Sequence, residues 1–146
     1  MISRIAGYCA SAILALLGAL HVSWALGWRR GLNIVLPTSE SGTRLLNPGR
    51  AATWGVALSL FGASATLLCR LGHWRLIAPR PLVRWVTRAI GMLFLLRAIG
   101  DFHTVGFWKT IRGTPFARWD TRLFSPLCVL IAVLVGLADH LPEDAE

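Results

Sequence analysis

From Ile5 to Trp28 the chain carries no Asp, Glu, Lys or Arg. That run limits the possible folds more than any other feature of the sequence. It has the length a helix needs to cross a bilayer, roughly 20 predominantly apolar residues with room for tilt. At that depth no water can satisfy backbone N–H and C=O groups, so a helix, which pairs them internally, is the conformation left. Arg4 before the run is reminiscent of a secretory leader. The run exceeds the roughly 7–15 apolar residues of a leader, however, and further apolar segments follow it. It reads as an uncleaved first span.

Three more segments qualify. One runs from Ala51 to Cys69, one from Leu82 to Phe102, and one from Thr121 or Pro126 to Ala138. The expectation is an all-α integral membrane domain covering residues 1–146. It is a four-helix bundle with spans at about 5–28, 51–70, 82–103 and 122–141, and two long interfacial loops on one side. Composition agrees: 15% of residues are charged, against about 25% in soluble domains. Arg84 and Arg88 interrupt the start of the third span, so hydropathy alone underrates it. With Arg80 they lie on one helix face and can snorkel to lipid headgroups. Ser125-Pro126 reads as an N-cap followed by proline at the first helical position. Gly7, Ser11, Ala15 and Ala19, and then Ala51, Gly55, Ser59 and Ala63, form two small-residue stripes. Such stripes let helices approach closely, which predicts a tight antiparallel pair.

Arg29 to Arg50 is punctuated by Pro37, Gly42 and Asn47-Pro48-Gly49 and reads as a long loop whose apolar residues fold back on the membrane surface. Gly106 to Asp120 is a second, aromatic and basic loop. In an up-down bundle both loops lie at one end. His21 is sixteen residues beyond Ile5, and Arg97 is sixteen beyond Pro81. At about 1.5 Å per residue the two share a depth. Asp120, Cys128, Thr53 and Trp54 belong to the same end. Loops one and three carry eight Lys and Arg, against six in the N-terminus and second loop. The positive-inside rule therefore places loops one and three in the cytoplasm.

The stretch Arg97-Ala98-Ile99-Gly100-Asp101-Phe102-His103 puts ionisable groups at the end of a membrane helix, a functional-site hypothesis by default. Arg97 and Asp101 sit four apart and can pair on a continuing helix; Arg118 and Asp120 are a second candidate pair. Net charge is +8, from fourteen Arg and one Lys against seven acids. That excess fits contact with lipid phosphate, and no soluble basic face exists to bind nucleic acid. Cys9, Cys69 and Cys128 are far apart and form no CxxC. No P-loop, dinucleotide fingerprint, HExxH or GxSxG is present. No metal site and no cofactor is expected.

Five blocks carry a family resemblance. They are His21-x-x-Trp24-Ala25-x-Gly27, Arg97-Ala98-x-Gly100-Asp101-Phe102, Val105-Gly106-Phe107-x-Lys109, Phe116-Ala117-Arg118-x-Asp120-Thr121 and Ser125-Pro126-Leu127-Cys128. Together they resemble the small bacterial four-span membrane proteins grouped as domain of unknown function 3995. The resemblance covers nearly the whole chain. It implies four helices and a membrane location, and brings no established activity, substrate or cofactor. Ser23 stands where the family commonly has an aromatic, and Phe124 where it commonly has tyrosine.

The leading functional expectation is a polar pocket at one membrane face that binds a lipid-like or amphipathic anionic small molecule. Its candidate residues are His21, Trp24, Arg97, Asp101, Lys109, Arg118 and Asp120. One alternative is a membrane enzyme doing isomerase-like acid/base chemistry on an isoprenoid or lipid, with His21 and Asp101 exchanging a proton. Another is an accessory subunit of a membrane complex. Expected partners are membrane lipids, an amphipathic small molecule, and a second copy or a membrane partner protein. The expected location is the inner (cytoplasmic) membrane, as a multi-pass protein.

Overall fold

A computed structural model describes residues 1–39, 41–73 and 79–140. Its long helices are α1 (Ile2–Ala25), α3 (Arg50–Arg70), α4 (Arg80–Ile99) and α6 (Ser125–Asp139). Two short ones, α2 (Leu32–Val35) and α5 (Pro115–Trp119), sit in the connections before α3 and α6. Among the described residues the only β feature is an isolated bridge between Thr38 and Arg44. Helices α1 and α3, and the continuous helical stretch Pro115–Asp139, are each long and apolar enough to cross a membrane. Helix α4 is 20 residues long, yet its sequence includes Arg80, Arg84, Arg88 and Arg97 and it falls short on apolarity.

Helix α1 packs most extensively on α3, α4 on α6, and α1 also on α6. Both major pairs are antiparallel. Gly7 meets Leu71 and Gly18 meets Phe61 across α1 and α3; Arg88 meets Asp139 and Gly91 meets Val135 across α4 and α6. Ala10, Leu14, Leu67, Ile131 and Val135 form the buried core between them. Helices α1 and α3 end in Schellman turns at Gly27 and Gly72, closed by Trp28 N–H to the Ser23 carbonyl and His73 N–H to the Leu68 carbonyl.

The tight α1–α3 pair is present, but each stripe contributes only in part. Gly7 and Ser11 are buried in the contact while Ala19 is exposed, and on α3 Ala63 packs against the core while Ala51, Gly55 and Ser59 are exposed. The buried residues of α3 are instead Ala57, Ser64 and Leu67, and Phe61 packs on Gly18 of α1. The two serines clamp the pair: their hydroxyls lie 2.8 Å apart, and Ser64 Oγ also reaches the Ser11 carbonyl at 2.9 Å. Replacing Ser11 with alanine should cost about 0.6 kcal/mol and no more than about 1.7, the range for interhelical side-chain bonds in a membrane bundle. Reversible unfolding in mixed micelles measures it. A neutral result would mean that Ser64 finds an equivalent acceptor on its own.

The last span does not begin at Ser125. Thr114 caps α5, its hydroxyl accepting from Ala117 N–H at 3.1 Å, with Pro115 in the first turn. The helix then runs on through a π-helical turn, Asp120–Phe124, into α6. Pro126 has no N–H to give to the residue four before it, and its ring crowds that carbonyl. A wider turn, closed by Ser125 N–H to the Asp120 carbonyl, accommodates it. Such bulges often occur at functional positions. Here the bulge leaves the Asp120 side chain fully buried, facing α4 and the loop that follows it.

Candidate functional site

The end of the bundle where α1 stops and α3 starts holds a buried ionic cluster and, beside it, a cavity. The cluster is built on Asp120, whose side chain has no exposed surface. One carboxylate oxygen accepts from Arg97 Nη2 at 2.9 Å. The other accepts from Lys109 Nζ at 2.9 Å, Gly106 N–H at 2.8 Å and Ser125 Oγ at 3.3 Å. Lys109, also buried, adds bonds to the Gly106 carbonyl at 2.8 Å and Thr121 Oγ1 at 2.7 Å. All three ammonium protons of Lys109 thus have acceptors. The cluster ties α4, the loop after it and the π-turn together.

Asp101 lies outside this cluster. The expected Arg97–Asp101 pair required the helix to continue to residue 101. It stops at Ile99, Gly100 turns the chain, and Asp101 leaves the face Arg97 occupies. Asp101 instead organises its own loop, accepting from the backbone N–H groups of His103, Thr104 and Val105 and from the Thr104 hydroxyl. Burial pushes its carboxyl pKa up, but those four bonds outweigh it and hold the group well below the usual carboxylate range. Nor does Arg118 pair with Asp120. Two apart on a helix, they point in different directions, and Arg118 is exposed.

The cavity has a volume of about 430 Å³. Leu17, Leu20 and Trp24 of α1 form one wall, and Val35 and Leu36 of the first loop another. Ala52 and Val56 of α3 and Phe124 of the π-turn contribute further apolar surface. The polar lining is His21, Arg44, Asn47, Arg50, Thr53 and Arg97. Among the described residues that line it there is no carboxylate. Arg97 joins the two features. Its Nη2 is held by Asp120, while Nη1 is buried and has no hydrogen-bond partner.

His21 presents one ring nitrogen only. Its Nδ1 lies 2.8 Å from the Leu17 carbonyl, which makes it the protonated nitrogen in the neutral ring and leaves Nε2 as the acceptor. Trp24 stacks edge-on against His21 and donates Nε1–H to the Arg30 carbonyl at 3.2 Å. Arg44 is steadied by a bond from Nη2 to Asn33 Oδ1 at 2.9 Å and by the turn in which Leu45 N–H meets the Pro37 carbonyl.

Of the seven candidate residues, His21, Trp24 and Arg97 line the cavity. Asp120 and Lys109 stand behind it in the cluster, and Asp101 and Arg118 belong to neither. Arg44, Asn47, Arg50 and Phe124 were missed. The available signal was an arginine inside and at the end of a long loop whose apolar residues had to pack on something. Depth arguments along helices do not locate loop residues.

A family model described as "Protein of unknown function (DUF3995)" matches residues 14–135. No curated protein matches the chain, and no solved structure does. The matched stretch takes in the Trp24 wall, the Arg97–Asp120–Lys109 cluster and the first loop. The chain belongs to the DUF3995 family.

Proposed function

We propose that this protein crosses the inner membrane four times and binds an amphipathic anion in the cavity between α1, α3 and the first loop. The observation that carries this reading is a charge imbalance. Asp120 offers one negative charge to two buried or half-buried cations, Lys109 and Arg97. Buried charges need partners. The surplus positive charge falls on the Arg97 guanidinium; its Nη1 is closed off, but the side chain is 35% exposed and lines the cavity wall. An anion there would complete the set, and the apolar wall from Leu17 to Trp24 would take the attached carbon chain.

Helix α4 counts as the fourth span because of its outer surface. Trp85, Leu93 and Leu96 point outward and exposed, as lipid-facing residues do, while Arg88 lies over the Trp85 ring and bonds Asp139. By the positive-inside rule the cavity faces the cytoplasm. Acid/base catalysis is the weaker reading. Asp101 does not line the cavity, and the Nδ1 of His21 is committed to the Leu17 carbonyl.

Arg97→Lys tests the proposal. A lysine keeps a cation against Asp120 but loses the second donor arm of the guanidinium. Native mass spectrometry of protein extracted with its own lipids should show a defined anionic species on the wild type. The variant should melt near the wild type and hold that species about tenfold more weakly. A wild type that carries no defined species, or a variant that keeps it fully, would remove the ligand and leave a structural clasp.

A further inference from the structure

Resting on the anion-binding reading above, we infer that the cavity selects a phosphate-bearing head over a carboxylate. The first reason is the number of guanidinium groups in its wall and where they come from. Arg97 is supplied by the end of α4, Arg44 by the first loop and Arg50 by the first residue of α3. A carboxylate has two oxygens and one charge, which a single guanidinium fork can satisfy. A phosphate monoester has three terminal oxygens and a charge of about −1.5 to −2 at neutral pH. The phosphate, with the extra oxygen and the larger charge, gains more from forks arriving from three parts of the chain.

The second reason lies in what offsets those cations. Asp120, buried behind Arg97, divides its one negative charge between Arg97 and Lys109. Arg44 is held by the neutral Asn33 side chain, not by an acid. Helix α3 also opens at the cavity, with Arg50, Ala52 and Thr53 of its first turn in the wall and no side-chain cap at Gly49. Its free first-turn N–H groups add positive potential to that of the arginines.

Size sets the rest of the ligand. At about 30 Å³ per water-sized unit, a volume of about 430 Å³ takes about fourteen such units, enough for a phosphate head and roughly nine carbons of a chain. A longer tail would extend beyond the cavity. The class is therefore an alkyl, acyl-glycerol or prenyl phosphate.

Isothermal titration calorimetry on the full chain in a neutral maltoside detergent tests this with three probes: dodecyl phosphate, dodecanoate and inorganic phosphate. The comparison variant is Arg44→Gln/Arg50→Gln, whose two sites are exposed; a thermal melt checks its fold. Wild type should bind dodecyl phosphate at least about tenfold more tightly than dodecanoate, since only phosphate engages the extra forks. The double variant should lose that preference and retain dodecanoate binding through Arg97. Equal affinities in the wild type would overturn the phosphate inference and leave the anion reading standing. No binding of either amphiphile would overturn both. Inorganic phosphate binding as tightly as dodecyl phosphate would keep the phosphate inference and assign a soluble phosphate as its source.

Discussion

Asp120→Asn should destabilise the protein by about 3–5 kcal/mol, the usual cost of removing one partner from a buried ion pair. The amide keeps the size and one acceptor oxygen, so packing changes little. What changes is charge. Lys109 has a side chain only 1% exposed, and it and Arg97 would then face each other with no anion between them. A companion variant separates charge from shape. Asp120→Asn with Lys109→Met again leaves a single positive charge, on Arg97, the same surplus as in the wild type. It should therefore be more stable than Asp120→Asn alone, with a coupling of about 0.5–3 kcal/mol. Reversible unfolding in mixed micelles, with the helical signal followed for each variant, gives both numbers. A single variant within about 1 kcal/mol of wild type would mean that Lys109 escapes to solvent or lipid headgroups, contrary to its burial.

The same cluster shows what could be read from the residues alone. Three helices followed from long apolar runs, because a hydrocarbon solvent admits so few backbone solutions. The common end for His21, Arg97 and Asp120 followed from helix direction and rise, which depend on counting residues and not on side-chain detail. The partner of each charge did not follow. Arg97–Asp101 satisfied the four-residue rule, but that rule presumes an unbroken helix, and α4 ends two residues before Asp101. Asp120 became the partner through a π-turn that rotates the chain near Pro126. No periodicity marks such a turn. The two small-residue stripes held only in part, for a related reason. Four-residue spacing drifts around an α-helix of 3.6 residues per turn, and spacing does not say which face meets the neighbour.

Replacing Gly100 or Gly106 with alanine should be comparably damaging, at about 2–6 kcal/mol for each, from backbone strain and overpacking combined. Asp101 folds residues 101–105 into a tight loop, and the two glycines close its base. Gly100 has φ 91° and ψ −171°, a region essentially reserved for glycine. Gly106 has φ 87°. The two backbones also touch: a Cβ on Gly100 would run into the Val105 carbonyl oxygen, and one on Gly106 into the Ile99 carbonyl oxygen. Both obstacles are main chain, so no rotamer change relieves them. Gly113→Ala is the control, since a Cβ there meets nothing within 4 Å; it should stay within about 0.5 kcal/mol of wild type. If Gly100→Ala unfolds at the same detergent fraction as Gly113→Ala, the loop base is not rigid. The consequence reaches the cavity. Gly106 N–H and Lys109 both reach Asp120 from this loop, so a loop forced open releases Asp120 Oδ2. Arg97 can then take that carboxylate with both arms of its fork, and the donor left over for a ligand disappears. Variants at Gly100 and Gly106 that still fold should therefore lose anion binding along with stability, whereas Gly113→Ala should lose neither.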